Sequence, residues 1–254
     1  MPLTSTMPVF TFHALDRQKS PISFPPHLFQ RGMARLIADG HRTQSLDQAA
    51  EQIRTGKPFP VRTCAMTFDD GYRSVYEEAF PLLREHRMTA TVFLTIGMAG
   101  ESPERLPSLD GRAMLSWHEI REMHRYGIAF GAHTLTHPDL TTLPTAMAEK
   151  EIVESKEIIE QALGVPVSSF AYPFGRYDET CRRIAGAHFV CACSDRLGLI
   201  SHRSDVYALE RVDAYYLRNE RLFGLVETGF FPWYIFSRRI PRQIKRAIQL
   251  RRRL

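Results

Sequence analysis

A (β/α) barrel, or a close variant of one, is the α/β fold this sequence predicts, and two observations predict it. Apolar, β-branched stretches of strand length alternate with stretches of helix length along the chain, which implies parallel strands with helices packed outside them. Polar groups then recur where the strands end, the place where such barrels carry their chemistry. At 254 residues, 44% of them hydrophobic and 24% charged, the chain is long enough for one large domain. No Gly/Ser-rich or Pro-rich linker interrupts its middle, and no internal repeat divides it.

The elements follow in order. Val9-Phe10-Thr11-Phe12-His13 reads as a strand with Val9, Thr11 and His13 on one face and Phe10 and Phe12 on the other. A helix is expected from Pro26 to Ala38, stopping at Gly40, and a second from Ser45 to Arg54, opened by a Ser cap and closed at Gly56. The apolar run Cys64 to Phe68 reads as a buried strand with Thr67 and Asp69 on one face and Met66 and Phe68 on the other, and a helical segment follows from Tyr72 to His86. Ala90 to Ile96 is strongly β-branched and strand-like, whereas Gly97 to Leu115 reads as a surface excursion. Ser116 with Glu119 three residues on is a capping-box pattern for a helix reaching Tyr126. Ile128 to Ala132 is a strand ending at His133, and Thr145 to Leu163 a long helix ending at Gly164. Val167 to Ala171 (strand), Asp178 to Ile184 (helix) and Phe189 to Ala192 (strand) complete the alternation.

Three strand ends carry candidate chemistry. In Thr67-Phe68-Asp69-Asp70-Gly71, adjacent strand side chains point opposite ways, but a turn at Gly71 can bring both carboxylates to one mouth. One carboxylate then suits metal binding and the other proton transfer, although an Asp before a helix also reads as a cap. In His133-Thr134-Leu135-Thr136-His137-Pro138, two histidines four apart on one helical turn face the same side and can share a divalent ion. Alone, such a pair also reads as solvent-facing or core histidines; its place at a strand end is what links it to the double acid. The third, Ala171-Tyr172-Pro173-Phe174-Gly175, is a turn able to present backbone amides to a ligand, or an ordinary aromatic turn.

The segments TFDDG, HTLTHP and AYPFG, in that order, resemble the polysaccharide deacetylases of the fourth carbohydrate esterase family, which share the nodulation-type (NodB) homology domain. The resemblance runs from about Phe10 to Val212. It implies a distorted (β/α)7 barrel, here residues 1–217, with an aromatic and Arg-rich extension over 218–254. The implied activity is metal-dependent hydrolysis of an N-acetyl, sometimes O-acetyl, group on a sugar. By resemblance Asp69 is the general base, Asp70, His133 and His137 hold a divalent metal, usually Zn2+, and the Tyr172-Pro173-Phe174 turn supplies the Phe174 amide to the oxyanion.

Two departures follow. Ala171 stands where the family commonly has an Arg that orients the base, and Arg211, just after a late strand, is the candidate substitute, set against a surface Arg in a loop. The family's C-terminal Leu-x-His, source of the general acid, is absent. The opening strand-His and the FAYPFG-like segment resemble the circularly permuted poly-β-1,6-N-acetylglucosamine deacetylases, in which the last barrel strand comes first. His13 is therefore the candidate general acid, set against a structural histidine at the mouth.

The net charge of +5 belongs to the tail, because from Ser237 onward there are eight basic residues and no acids, leaving 25 basic against 28 acidic elsewhere. Leu222 to Phe236, with Phe223, Phe230, Phe231, Trp233, Tyr234 and Phe236, is too short to span a bilayer. With the basic tail it reads as an interfacial anchor for an anionic membrane, or as a cover for the barrel's end beside a solvated tail. No specific nucleic-acid partner is expected, since the basic residues lie in one tail without a recognised binding fold. MPLTSTMPVF has no secretory pattern, and Cys64, Cys181, Cys191 and Cys193 lack zinc-knuckle spacing and read as reduced, mostly buried thiols. A cytoplasmic protein, peripheral at the inner face of the membrane, is the expectation. The functional expectation is deacetylation of an N-acetylated envelope or exopolysaccharide glycan, or of its lipid-linked oligosaccharide precursor. Two alternatives stand beside it: hydrolysis of another, cyclic amide on the same barrel, and a non-catalytic glycan-binding scaffold.

Overall fold

Seven strands close into a ring in a computed structural model that describes residues 3–97, 104, 106, 108–226 and 228–239. They are β1 (Val9–Phe12), β2 (Thr63–Phe68), β3 (Thr91–Leu94), β4 (Ala129–Ala132), β5 (Ser169–Ala171), β6 (Cys191–Leu197) and β7 (Leu209–Asp213). Every neighbouring pair is parallel, in chain order, and β1 closes the ring by pairing with both β2 and β7. The fold is thus the (β/α)7 barrel that the alternation and the resemblance imply.

Apart from strand ends, that of β6 above all, and part of β7, the strands are buried on both faces, which is why they read as near-continuous apolar runs. Val9, Ala65, Phe93, Ala171, Cys193 and Leu209 fill the inside, while Phe10, Phe12, Met66 and Phe68 point out into the larger core beneath the helices. Among the inward residues Phe93 is the largest, and it needs room. A Cβ on Gly131 of β4 would come within 2.5 Å of the Phe93 ring and 2.7 Å of Ser169 Oγ. Gly131→Ala is therefore expected to destabilise the protein by about 1–3 kcal/mol through overpacking, read as a fall in urea midpoint with unchanged m-value.

The helices begin and end where local chemistry dictates. Helix α1 spans Pro26–Ala38, and α2 spans Leu46–Thr55, with Ser45 and Gln48 forming a reciprocal capping box and left-handed Gly56 closing it. The expected single helix Tyr72 to His86 is instead a π-helical turn, Val75–Ala79, running into α3, Phe80–Glu85. Pro81 is the reason: it lacks the N–H and crowds the carbonyl four residues back, so the ladder widens before it. Next come α4 (Trp117–Arg125), capped by Ser116 and Glu119, α5 (Thr145–Leu163), ended at left-handed Gly164, and α6 (Glu179–His188). The sixth strand runs further than its apolar start suggests, because Ser194, Asp195 and Arg196 continue it past Ala192.

After β7, the short helix α7 (Glu220–Phe223) packs against α1, and helix α8 (231–239) covers the outer core. Phe223 lies on Gly32, where a Cβ would meet its ring at 2.6 Å. Phe231, Tyr234 and Ile235 join the outer core, with Phe231 6.5 Å from Phe10 and the Tyr234 hydroxyl donating to the Tyr216 carbonyl at 2.8 Å. Phe230, Trp233 and Phe236 remain exposed. Of the basic tail, Arg242, Lys245, Arg246, Arg251, Arg252 and Arg253 lie outside the described residues. All four cysteines are buried and unpaired with one another. No helix among the described residues is long and apolar enough to cross a membrane.

Candidate active site

The carboxyl ends of the barrel strands surround a cavity of about 730 Å3. Asp69 follows directly on β2, its N–H donating to the Phe12 carbonyl at 2.9 Å, so it keeps the inward direction of Ala65 and Thr67. The turn that redirects the chain begins one residue before the glycine: Asp70 itself has φ +74° and Gly71 φ +87°. Two consecutive left-handed residues bring the second carboxylate to the same mouth. Glycine suits position 71 through its φ of +87°, and a Cβ there would also crowd Leu94 Cδ2 at 2.9 Å.

His133 and His137 are not on one helical turn, as their spacing suggests. His133 leaves β4 and the chain then loops, with Thr134 at φ +70° and His137 at φ +58°. That loop is held from α5 by the buried Glu151, whose carboxylate accepts from the Leu135 and Thr136 N–H groups at 2.9 Å each and from the Thr136 hydroxyl at 2.7 Å. Thr134 Oγ1 accepts from the His137 N–H at 3.0 Å. Backbone strain of this kind, shared by Asp70, Thr134, His137 and Phe174, costs of order 1–3 kcal/mol per residue and clusters at functional sites.

Asp70, His133 and His137 converge. Both His Nε2 atoms lie 3.4 Å from Asp70 Oδ1, and one donor atom from each residue lies within 4.8 Å of the others. His133 Nδ1 is 2.7 Å from the Ala171 carbonyl, which fixes the tautomer that donates there and turns Nε2 inward. Asp70 Oδ1 is buried without a hydrogen-bond partner. An orphaned carboxylate oxygen between two imidazole nitrogens, one oriented from behind, is a donor set that fits a divalent ion. Burial, with His133 adding to it, pushes the His137 pKa down to about 4, so this imidazole is neutral near pH 7.

Asp69 is held differently. Arg211 Nη1 and Nη2 each donate to one of its oxygens at 2.7 Å, Nε donates to the Ser194 carbonyl at 2.9 Å, and the Phe93 ring lies 6.0 Å beneath the guanidinium. Both side chains are 3% exposed. Burial, the largest single influence, would raise the Asp69 pKa, but the Arg211 charge and hydrogen bonds together with the nearby His13 and His133 hold the carboxyl below its ordinary value. Arg211 sits within β7 rather than after a strand, sharing its inward face with Leu209 and Asp213. It comes from β7, two strands from β5 on which Ala171 stands.

His13, one residue past β1, places Nε2 3.7 Å from Asp69 Oδ2 and is a quarter exposed. The Tyr172-Pro173-Phe174 turn divides. The Tyr172 hydroxyl donates to the Tyr207 carbonyl at 2.9 Å and its ring stacks on Tyr177 in the outer core, so Tyr172 and Pro173 are buried away from the cavity, whereas Phe174 and Gly175 line it. Phe174, at φ +56°, sets its ring against His137 with centroids 4.6 Å apart.

Sequence reasoning missed several residues here. Tyr72 lines the cavity with its phenol oxygen buried and unbonded, and Asp110, Asp195 and Asp213 add carboxylates around it. Asp213 was legible as the residue two after Arg211 on one strand face, and Asp195 as two after Cys193. Glu151 was legible only as an acid on the buried stripe of α5 beside Ala148, Ile152 and Ser155.

A sequence profile of the family described as polysaccharide deacetylase matches residues 56–189. The chain is 27% identical over 207 residues to the Bacillus subtilis protein YxkH, named among the polysaccharide deacetylases, covering 81% of this chain and 70% of that protein. It is 29% identical over 126 residues to a poly-β-1,6-N-acetyl-D-glucosamine N-deacetylase of Staphylococcus aureus, covering 46% of this chain and 42% of the relative. The chain thus spans less than half the length of that relative. Among solved structures, the Streptococcus pyogenes deacetylase PplD in complex with acetate superposes with a TM-score of 0.73 at 22% identity, over 82% of this chain and 92% of that one. IcaB from Ammonifex degensii gives 0.73 at 21% identity, over 89% and 99%. Both share the fold.

Proposed function

The chain belongs to the polysaccharide deacetylase family, and from that premise we propose that it hydrolyses the N-acetyl group of an amino sugar in a bacterial envelope or exopolysaccharide glycan, or in its lipid-linked precursor. One observation carries this reading: a buried carboxylate clamped by Arg211 stands beside a separate Asp-His-His group at the mouth of one cavity. That is the division of labour amide hydrolysis needs, with a proton acceptor next to an electrophilic centre.

Asp70, His133 and His137 are the residues that would hold a divalent ion, Zn2+ by donor type. Bound there, the ion supplies Lewis acidity to the acyl carbonyl and to the attacking water. We assign to Asp69 the proton of that water as its oxygen bonds to the acetyl carbon. Arg211 keeps the carboxylate ionised and aimed. His13 donates a proton to the sugar nitrogen as the C–N bond breaks, releasing acetate and an amine. The Phe174 amide is assigned to the oxyanion, a role indifferent to its side chain.

The test is acetate release from N-acetylglucosamine oligomers, β-1,6-linked chains among them, and from lipid-linked sugars, with added Zn2+ and with chelator. Chelator-sensitive release is the expected result. Ring opening of a cyclic imide without any release of acetate would replace this reading with the cyclic-amide one, and a protein that takes up no divalent ion would leave only the scaffold reading. His137→Ala is expected to weaken Zn2+ binding by at least about 100-fold, the upper range for losing mere support to a ligand, measured by competition with a chromogenic chelator.

A further inference from the structure

Helix α8 (231–239) has two faces of different character. Its inner face, Phe231, Tyr234 and Ile235, is buried in the core. Phe230, just before the helix, and Trp233 and Phe236 within it recur every three residues and stand 49%, 60% and 59% exposed, with the Phe230 and Trp233 rings 4.7 Å apart. An isolated exposed aromatic needs no explanation, but three neighbouring large rings on a helix fixed to the core form a patch that does. The packing of the inner face means that this patch is presented rigidly, without a folding cost on contact.

What it is presented with decides the partner. From Ser237 onward the sequence has eight Arg and Lys residues and no Asp or Glu, and Arg238, two residues after Phe236, is exposed with its guanidinium 5.3 Å over the Tyr234 ring. Aromatic rings beside concentrated positive charge match the interface of an anionic bilayer, where rings lie at headgroup depth and cations meet lipid phosphates. A protein partner would offer a pocket for the rings but gives no reason for a continuous run of charge of one sign.

We propose that Phe230, Trp233 and Phe236, with Arg238 and Arg239 that follow them, form a docking surface for an anionic lipid bilayer. The contact is peripheral. It is anchored by α8 on the outside of the barrel wall, so docking leaves the inward-facing Asp69, Asp70, His133 and His137 untouched. The inference stands on the helix face and the charge pattern, independently of which glycan is cleaved.

The experiment is co-sedimentation of the full chain with vesicles of phosphatidylcholine alone and with one-third phosphatidylglycerol. Binding to the anionic vesicles, release by high salt and weak binding to the neutral ones are expected. The triple variant Phe230→Ser/Trp233→Ser/Phe236→Ser, altered only at exposed positions, is expected to lose at least about tenfold in partitioning while its thermal midpoint and its acetate release from soluble oligomers match wild type. Equal vesicle binding by the variant would overturn the proposal, as would binding indifferent to lipid charge. A change in oligomeric mass of the variant without any change in vesicle binding would assign the patch to a second copy of the chain, and salt-sensitive capture of nucleic acid without vesicle binding would assign the tail to a polyanion instead.

Discussion

Asp69→Asn is expected to lower acetate release by roughly 10²–10⁴-fold, the range for loss of a positioned general base, while divalent-ion binding stays within a few-fold of wild type. The two expectations separate because the two carboxylates have separate partners. Asp69 is tied to Arg211, and Asp70 faces the two imidazoles. An amide in place of Asp69 offers one oxygen to the Arg211 fork but leaves the buried guanidinium without its counter-charge, so a cost of up to about 3–5 kcal/mol is expected, and activity is compared at a temperature where the thermal midpoint shows the variant folded. If ion binding falls as far as activity does, Asp69 is a ligand and the division of roles proposed above is wrong. His13 gives the contrast. An aryl acetate leaves without needing a proton, so His13→Ala should spare its hydrolysis while depressing release from the sugar amide; Asp69→Asn should depress both. Equal losses on both substrates for His13→Ala would remove it as the acid.

The barrel was legible because most of its strands are buried on both sides and therefore apolar, and because caps such as Ser45, Ser116 and Gly164 announce helix ends in one or two residues. What failed was local geometry decided by distant residues. The spacing of His133 and His137 suits a helical turn, but Glu151 on α5, the next helix, holds that segment in a loop. Likewise Pro81 was visible, yet its effect on the preceding turn shows only where the helix packs. Tyr172 illustrates a third limit. Sequence places it in the right turn, but which of three adjacent residues faces the cavity depends on Phe174 adopting a left-handed φ of +56°. The strand ends, and so the place of the candidate site, were legible in the sequence; the directions of individual side chains were set by contacts across the ring.

Arg211→Met is expected to destabilise the protein by about 3–5 kcal/mol at pH 7, the usual consequence of leaving one member of a buried ion pair without its partner. The sign of its pH dependence follows from Asp69. In the wild type the Asp69 pKa is depressed, so the pair's contribution is present above the unfolded value of about 3.9 and is lost as pH falls through the lower folded value. In the variant the same burial acts unopposed by Arg211 and raises the pKa, so the native state pays for an ionised Asp69 at neutral pH and ceases to do so once the carboxyl is protonated. The gap in unfolding free energy between wild type and variant should therefore be widest near pH 7 and narrow as pH approaches about 4. A gap that stays constant across this range would mean that Arg211 acts through packing against Phe93 alone. Arg211→Lys separates charge from geometry. Lysine restores a cation but not the two-pronged fork, so stability should recover in part, while the acid limb of kcat/KM, set by the base, should lie at higher pH than in wild type. A Lys variant with an unmoved acid limb would show that charge alone holds the base ionised, leaving the paired hydrogen bonds only the task of aiming it.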